Sequence, residues 1–532
     1  MYAIALAARL VPLTFSPLPY NIDGFPLARI SEGIATTGTW RIDPADVNNY
    51  NEKMPAFSLL WAAASMLGGL QPLAPVELVV VLITSLVVLP AYLIGVKASG
   101  RRLVGFAAGL FVALFGSFLM LTSGVSKESI GLLVFPVAVL LFHERADRRK
   151  RALAFVLLAF LPFLHHLTTL LTLGMVASLV VLTQRRASSQ GRFSVRALVL
   201  DIATGPALAV PAWAYYAAVD LPFLADLVAP EALALFLALV VLLTAAIAPM
   251  SRPARIRIGR RLVSPATHVI LPPAVGVVVI LANAQTSLFA GALPTQAAFL
   301  ALQPAIAVLT AFVLAGYQLV RRTSNRANDL VTSMLVAPVA MVLFGFLRGL
   351  DAESLVIVYR SIDFLDYALA LLAAVAFVAA WKGLRPHRAA RVALVGGFLA
   401  ALLATTPMAW NTPAVFGVEN TTTTDEFQAL ALLGSLGAKN VTTDQRLADI
   451  GAMWFGYTTD RSLPLKLRDN ESTAGLDYAI VLERWSTVGA QVHPAPNIIL
   501  DPSVVDTFLS SNRVAYVAGP RGDRIFVVQI LG

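Results

Sequence analysis

Up to Trp410 the chain alternates apolar runs with short clusters of Lys and Arg. Many of the runs are close to the ~20 residues that carry a helix across a bilayer core, and some are shorter. The clusters are Lys97, Arg101 and Arg102; Arg145, Arg148, Arg149, Lys150 and Arg151; Arg185, Arg186, Arg192 and Arg196; the Arg-rich stretch 252–261; Arg321, Arg322 and Arg326; and the stretch 382–391. Lys and Arg are retained on the cytoplasmic side of a membrane, so taking all of these as cytoplasmic fixes a register. It predicts spans near 76–97, 103–122, 130–142, 152–164, 167–184, 198–217, 232–250, 264–283, 298–319, 329–347, 364–381 and 392–410. With a short first helix over 1–15 the total is about thirteen.

The register puts the N-terminus in the cytoplasm of a multi-pass cell-membrane protein. Five features fall outside: the loop 17–75, Ser126-Lys127-Glu128, His165-His166, the segment 348–366 and everything after Trp410. The apolar stretch 54–70 would invert every later basic loop if it crossed, so it is expected to be re-entrant or interfacial. Beyond residue 410 hydropathy falls. A helix over 425–433 and strands over 478–482, 497–500 and 524–530 predict a small α/β domain outside the cytoplasm. The expected organisation is a polytopic all-α membrane domain over 1–410, with its first outer loop at 17–75, followed by a domain over 411–532. Three acceptor sequons, beginning at Asn420, Asn440 and Asn470, lie in that second domain and agree with its placement.

Composition supports lipid as the solvent: 58% of the 532 residues are hydrophobic and 13% charged, more apolar surface than a soluble core can hide. The absence of cysteine rules out disulfides and thiolate metal sites. The net charge of +9 is explained by topology, because the basic residues sit between apolar runs; nucleic acid is not an expected partner. The first apolar run contains Arg9, and no charged n-region or cleavage site precedes it, so it does not read as a signal peptide. Phosphate-binding glycine loops, paired zinc histidines and nucleophile elbows are also missing, so chemistry has to be built at the membrane face.

In the first outer loop, Asp23 precedes a helix expected to start near Phe25 and Pro26, to carry Ile30 and Ile34 on one face, and to end at Gly38. Asp23 reads either as the N-cap of that helix or as a carboxylate held at the membrane surface as a base. A span leading to a lone loop Asp, then an amphipathic helix closing in Gly38-x-Trp40, resembles the first loop of the GT-C membrane glycosyltransferases. That superfamily uses polyprenyl-phosphate sugar carriers and includes protein mannosyltransferases, aminoarabinose transferase and the oligosaccharyltransferase catalytic subunit. The resemblance continues through Gly105 to Leu121, the following Ser-Gly-Val-Ser-Lys-Glu-Ser, and His143-Glu-Arg. It continues again in the tail, where Asp425-Glu-Phe-Gln-Ala-Leu, Val441-Thr-Thr-Asp-Gln-Arg and Val514-Ala-Tyr-Val-Ala-Gly are similar to outer domains of archaeal members. It implies a catalytic Asp23 and a second acidic residue at Glu128, where many members have Asp.

Transfer of a sugar from a lipid phosphate to a hydroxyl needs a base for the acceptor and positive groups on the departing phosphate. Arg360 is the first candidate for the phosphate, because guanidinium matches phosphate oxygens bidentately; Arg348 and Lys127 come second. Arg360 reads equally as a snorkelling anchor or as a partner of Asp363 or Asp366. His165 and His166, at a hairpin tip, read as phosphate-binding groups or as an interfacial turn satisfied by water and backbone. The oxygen-rich set of Asp23, Glu128 and a histidine would suit Mg²⁺ or Mn²⁺ over zinc, while relatives using simple lipid-phosphate sugars often need no metal. Asp43, Asp46, Asn48 and Asn49 read as solvated loop residues or an acceptor site.

The function these readings favour is a glycosyltransferase with a polyprenyl (dolichyl)-phosphate sugar donor and a glycan, lipid or protein acceptor at the outer face, with inversion implied by the resemblance. A secondary transporter or lipid-carrier flippase would show paired half-helices, mid-depth ionisable groups and an internal repeat. A non-catalytic scaffold would be indifferent to Asp23→Asn.

Overall fold

The computed structural model describes residues 1–221, 229–250, 265–285, 296–321, 327–349, 352–492 and 497–531. Each expected span after the first falls on a helix or a helix pair, from Val76–Ser99 to Arg388–Trp410. Among the described residues eight helices are long and apolar enough to cross a membrane, and the bent pair Arg102–Leu114 and Gly116–Ser123 makes nine. Lys127–His143 and Arg148–Leu164 are each 17 residues, and three more apolar helices are shorter still, so length alone does not establish thirteen crossings. The basic stretch 252–261 and the residues Arg322 and Arg326 lie outside the described residues.

Local chemistry sets the helix ends. Ser126 caps Lys127–His143 by accepting from the Ser129 N–H at 3.0 Å, and Asp147 caps Arg148–Leu164 by accepting from the Arg149 N–H at 2.8 Å. Gly100 stops the helix Val88–Ser99 in the left-handed region at φ 66°. The stretch 54–70 forms a 13-residue helix, Ala56–Gly68, ended by Gly69 at φ 61°. It lies against Gly24–Thr37, where the Ser31 hydroxyl reaches the Ser58 carbonyl at 3.2 Å, and it leaves Leu59, Leu60, Met66 and Leu67 exposed. A one-sided apolar helix of this length suits an interfacial position.

The expected span 103–122 is broken at Phe115, where the chain turns by 64°. The wholly buried Arg9 spans the break. Its Nη2 donates to the Val112 carbonyl at 3.2 Å and to the Thr122 hydroxyl at 2.7 Å, and its Nε donates to Thr122 at 3.0 Å. A guanidinium at the C-terminal end of a helix meets carbonyls that lack an intrahelical donor and the negative end of the dipole.

The C-terminal sheet has strands β1 (Asn440–Thr442), β2 (Thr458–Asp460), β3 (Tyr478–Leu482), β4 (Arg513–Ala518) and β5 (Ile525–Gln529), in the order β2-β1-β3-β5-β4. β1 runs parallel to β2 and β3, whereas β5 is antiparallel to β3 and β4. The expected helix appears as Thr424–Ser435, started by a capping box between Thr423 and Glu426. Two expected strands match β3 and β5. The stretch 497–500 is not a strand: Ile498 makes only an isolated bridge to Ala490, because its neighbours leave the sheet to enter the helix Pro502–Ser511. The core under the sheet takes in Leu18 and Phe25 from the first loop, so loop and sheet domain share one apolar cluster.

Candidate functional site

Asp23 stands directly before the helix Gly24–Thr37 and does not cap it. An N-cap residue is normally extended, with its side chain folded back onto the first turn. Asp23 instead has helical angles (φ −60°, ψ −21°), and its own N–H is held by the Asn21 Oδ1 at 3.0 Å. Its half-buried carboxylate makes no hydrogen bond among the described residues. It acts electrostatically on Tyr50, Lys127, Glu128 and Arg360, and on Asp449 of the sheet domain. Burial pushes the Asp449 carboxyl up, Arg461 opposes this, and Asp23 adds to it.

Lys127 and Glu128 open the helix Lys127–His143 and diverge. Glu128, 2% exposed, forms an ion pair with the Arg360 guanidinium through Oε2, while its Oε1 is buried without a hydrogen-bond partner. Arg360 therefore pairs with Glu128 and not with Asp363 or Asp366. Lys127, 6% exposed, has neutral neighbours: its Nζ donates to the Asn51 Oδ1 at 2.8 Å and lies 4.3 Å from the centre of the Tyr50 ring. No carboxylate lies within ion-pair distance of it among the described residues.

His165 and His166 mark the join between the helices Arg148–Leu164 and His166–Ser189, with ring centroids 4.9 Å apart. His166 Nδ1 lies 3.4 Å from the Tyr50 hydroxyl, and His165 Nδ1 lies 2.8 Å from the Thr168 hydroxyl. Tyr50 thus links His166 to Lys127; burial pushes its phenol up, and Asp23 adds to this. Arg348 is the half-buried last residue of the helix Ala327–Arg348. Asp43, Asp46, Asn48 and Asn49 fold the loop onto itself and onto the sheet domain. Asp43 N–H donates to the Glu52 Oε2 at 2.7 Å, Asn49 donates to the Asp43 carbonyl at 2.7 Å, and Asn48 reaches the Met453 carbonyl at 3.0 Å.

The side chains of Asp23, Glu128 and a histidine are not gathered into a metal-binding group here. Among the described residues no three His, Asp or Glu side chains come together, and the Glu128 Oε2 is already held by a guanidinium. Tyr50 and Asn51 were not among the sequence candidates. The only signal was the polar run 48–51 in the loop, which carries no periodicity linking it to residue 127.

No protein-family model matches the chain, and no curated protein matches it in sequence. Solved structures do match. The oligosaccharyltransferase of Archaeoglobus fulgidus in complex with Zn and sulfate aligns with a TM-score of 0.53 at 12% identity, covering 98% of this chain and 72% of that one. The archaeal oligosaccharyltransferase AglB from Archaeoglobus fulgidus, in complex with an inhibitory peptide and a dolichol-phosphate, aligns at 0.52 and 12% over 98% and 74%. The form tethered to an acceptor peptide containing the NVT sequon aligns at 0.51 and 14% over 98% and 73%. The chain has the fold of an archaeal oligosaccharyltransferase. The likeness in fold extends over nearly the whole chain. In the oligosaccharyltransferase fold as this chain builds it, helix-start residues 23, 127 and 128, loop residue 50, hairpin residue 166 and helix residue 360 approach one another at the end of the bundle that carries the sheet domain.

Proposed function

We propose that the chain is a membrane glycosyltransferase that moves a sugar from a polyprenyl (dolichyl)-phosphate carrier to an acceptor hydroxyl at the outer membrane face. The observation that carries this reading is the Asp23 carboxylate, which caps no helix and makes no hydrogen bond among the described residues, and whose charge acts on the buried Lys127 ammonium. Asp23 takes the proton from the acceptor hydroxyl as the acceptor oxygen bonds to the anomeric carbon. The bond from that carbon to the phosphate oxygen breaks with inversion, and the released phosphate takes the electron pair. Lys127, with His166 and Tyr50 beside it, meets the charge on that phosphate, and Arg360 contributes from its pair with Glu128. His165 stands beside His166 in the same region, and Arg348 is a further candidate for the phosphate.

The reading includes about thirteen crossings, a cytoplasmic N-terminus, and a boundary near residue 410 between membrane and outer domains. The basic clusters support the first two, and the fall in hydropathy beyond residue 410 supports the third. The peptide on the solved oligosaccharyltransferase favours a second acceptor, an asparagine amide, and a panel offering both peptide and hydroxyl acceptors separates the two.

The test is transfer of a labelled lipid-phosphate sugar in vesicles. Asp23→Asn at normal expression is expected to lose ~100-fold or more of the rate, the usual contribution of a general base. Full activity in that variant removes Asp23 from the mechanism.

A further inference from the structure

The loop that carries Asp23 is pinned from two sides by groups with no part in the chemistry above. Glu77 lies in the first turn of the helix Val76–Thr84 and is wholly buried. Its Oε2 accepts from the backbone N–H of Tyr20 at 3.0 Å, three residues before Asp23 and 57 residues away in sequence. The Tyr20 hydroxyl in turn donates to the Ala409 carbonyl, at the junction with the sheet domain. Between these anchors the chain is packed tightly. A Cβ on Gly24 would come within 3.0 Å of the Val125 Cβ, and one on Gly124 within 3.1 Å of the Asn21 Cβ.

Glu77 does not behave as a packing residue. Its Oε1 is buried without a hydrogen-bond partner, and no cation pairs with it among the described residues. Burying a carboxylate that is only half satisfied is unfavourable, and an apolar side chain of similar size would serve a core better. Glu77 supplies something an apolar side chain does not: an acceptor for one N–H of a loop that has no helix or sheet to hold it.

We propose that Glu77 is a positioning residue, whose carboxylate fixes the Pro19–Gly24 loop so that Asp23 faces the Lys127 site. The proposal rests on the reading of Asp23 as base, and a displacement of about 1 Å at such a group can cost ~100-fold in rate. Glu77→Leu is expected to lower kcat by ~10-fold to ~100-fold with the donor KM within about twofold, because the phosphate-binding groups stay in place. Glu77→Gln keeps an oxygen for the Tyr20 N–H and is expected to retain most of kcat. In an Asp23→Asn background Glu77→Leu should cost nothing further, since it acts through Asp23.

A readout independent of sugar transfer uses the absence of cysteine from the chain. With Asp23→Cys as the lone thiol, maleimide labelling in vesicles is expected to change several-fold on adding Glu77→Leu and to stay unchanged on adding Glu77→Gln. Identical labelling with and without Glu77→Leu overturns the positioning role. If labelling changes while Asp23→Asn remains active, the base reading falls and the positioning of the loop stands. Should Glu77→Leu fail to fold, Glu77→Asp, which keeps the carboxyl group but shortens its reach by one methylene, decides the same comparison.

Discussion

The Lys127 ammonium is a cation taken out of water and given a carboxamide oxygen, an aromatic face and the field of Asp23 in return, with no ion pair among the described residues. Such an arrangement is costly until an anion arrives. Lys127→Met should therefore do two opposite things: lower kcat/KM by ~100-fold or more through loss of charge stabilisation, and raise the thermal midpoint of the unliganded protein. Vesicle kinetics and a melting curve on one preparation check both, and a lowered midpoint would show that the ammonium is needed for folding. The Glu128–Arg360 pair predicts the reverse pattern. Glu128→Gln or Arg360→Gln alone should destabilise by about 2 kcal/mol, discounted because Arg360 is about a third exposed, and the double variant should recover most of it without recovering transfer. Sequence exposed Lys127, Glu128, His166 and Arg360 because a polar group at the edge of an apolar run is expensive and stands out, and exposed Asp23 because it precedes a helix in the first loop. Tyr50 and Asn51 carry neither signal. They sit in a polar loop where any residue is tolerated, and only the tertiary fold brings them to Lys127.

Among the elements, the helices were the most legible, since alternation of apolar runs with basic clusters fixes both their existence and their ends. The break at Phe115 was not, because an apolar run reads the same whether straight or bent by 64°. What marks it is Arg9, which in sequence only interrupts a short run and in the structure bonds to both sides of the bend. Arg9→Met leaves the Val112 and Ala113 carbonyls and the Thr122 hydroxyl without their buried donor, and is expected to cost about 3 kcal/mol in thermal or denaturant unfolding. Arg9→Lys should recover little, because a single ammonium cannot span acceptors that a planar fork reaches together. β1 and β2, three residues each, gave too short a pattern to read, and their pairing depends on partners brought from elsewhere in the chain.

At the scale of the whole molecule, the sheet domain and the loop that carries Asp23 share one apolar core: Phe25 stacks on Phe427 with ring centroids 6.0 Å apart, Arg29 lies 5.8 Å over Trp454, and Leu18 and Phe25 belong to the domain's core. The electrostatic centre of that domain is Glu426, paired with Arg446 and Arg484 and almost wholly buried. Burial alone would raise its carboxyl, but the two guanidinium groups outweigh burial and hold it below the ordinary glutamate value. A carboxyl depressed in the folded state contributes stability that is fully present above its unfolded pKa, about 4.3, and is lost as pH falls through the lower folded value. Glu426's contribution to the midpoint should thus be constant from neutral pH to about pH 5 and be lost progressively below about pH 4. Glu426→Gln should be less stable at pH 7 by about 3 kcal/mol, since it strands two cations, yet should remove Glu426's share of the acid dependence. Because the loop is bonded into this core, acid release of the domain should also expose position 23, and maleimide labelling of the Asp23→Cys variant should rise over the same pH interval, after correction for the pH dependence of the thiol reaction. Loss of the domain's protease resistance without a change in labelling would show that the loop is held by Glu77 and the bundle alone.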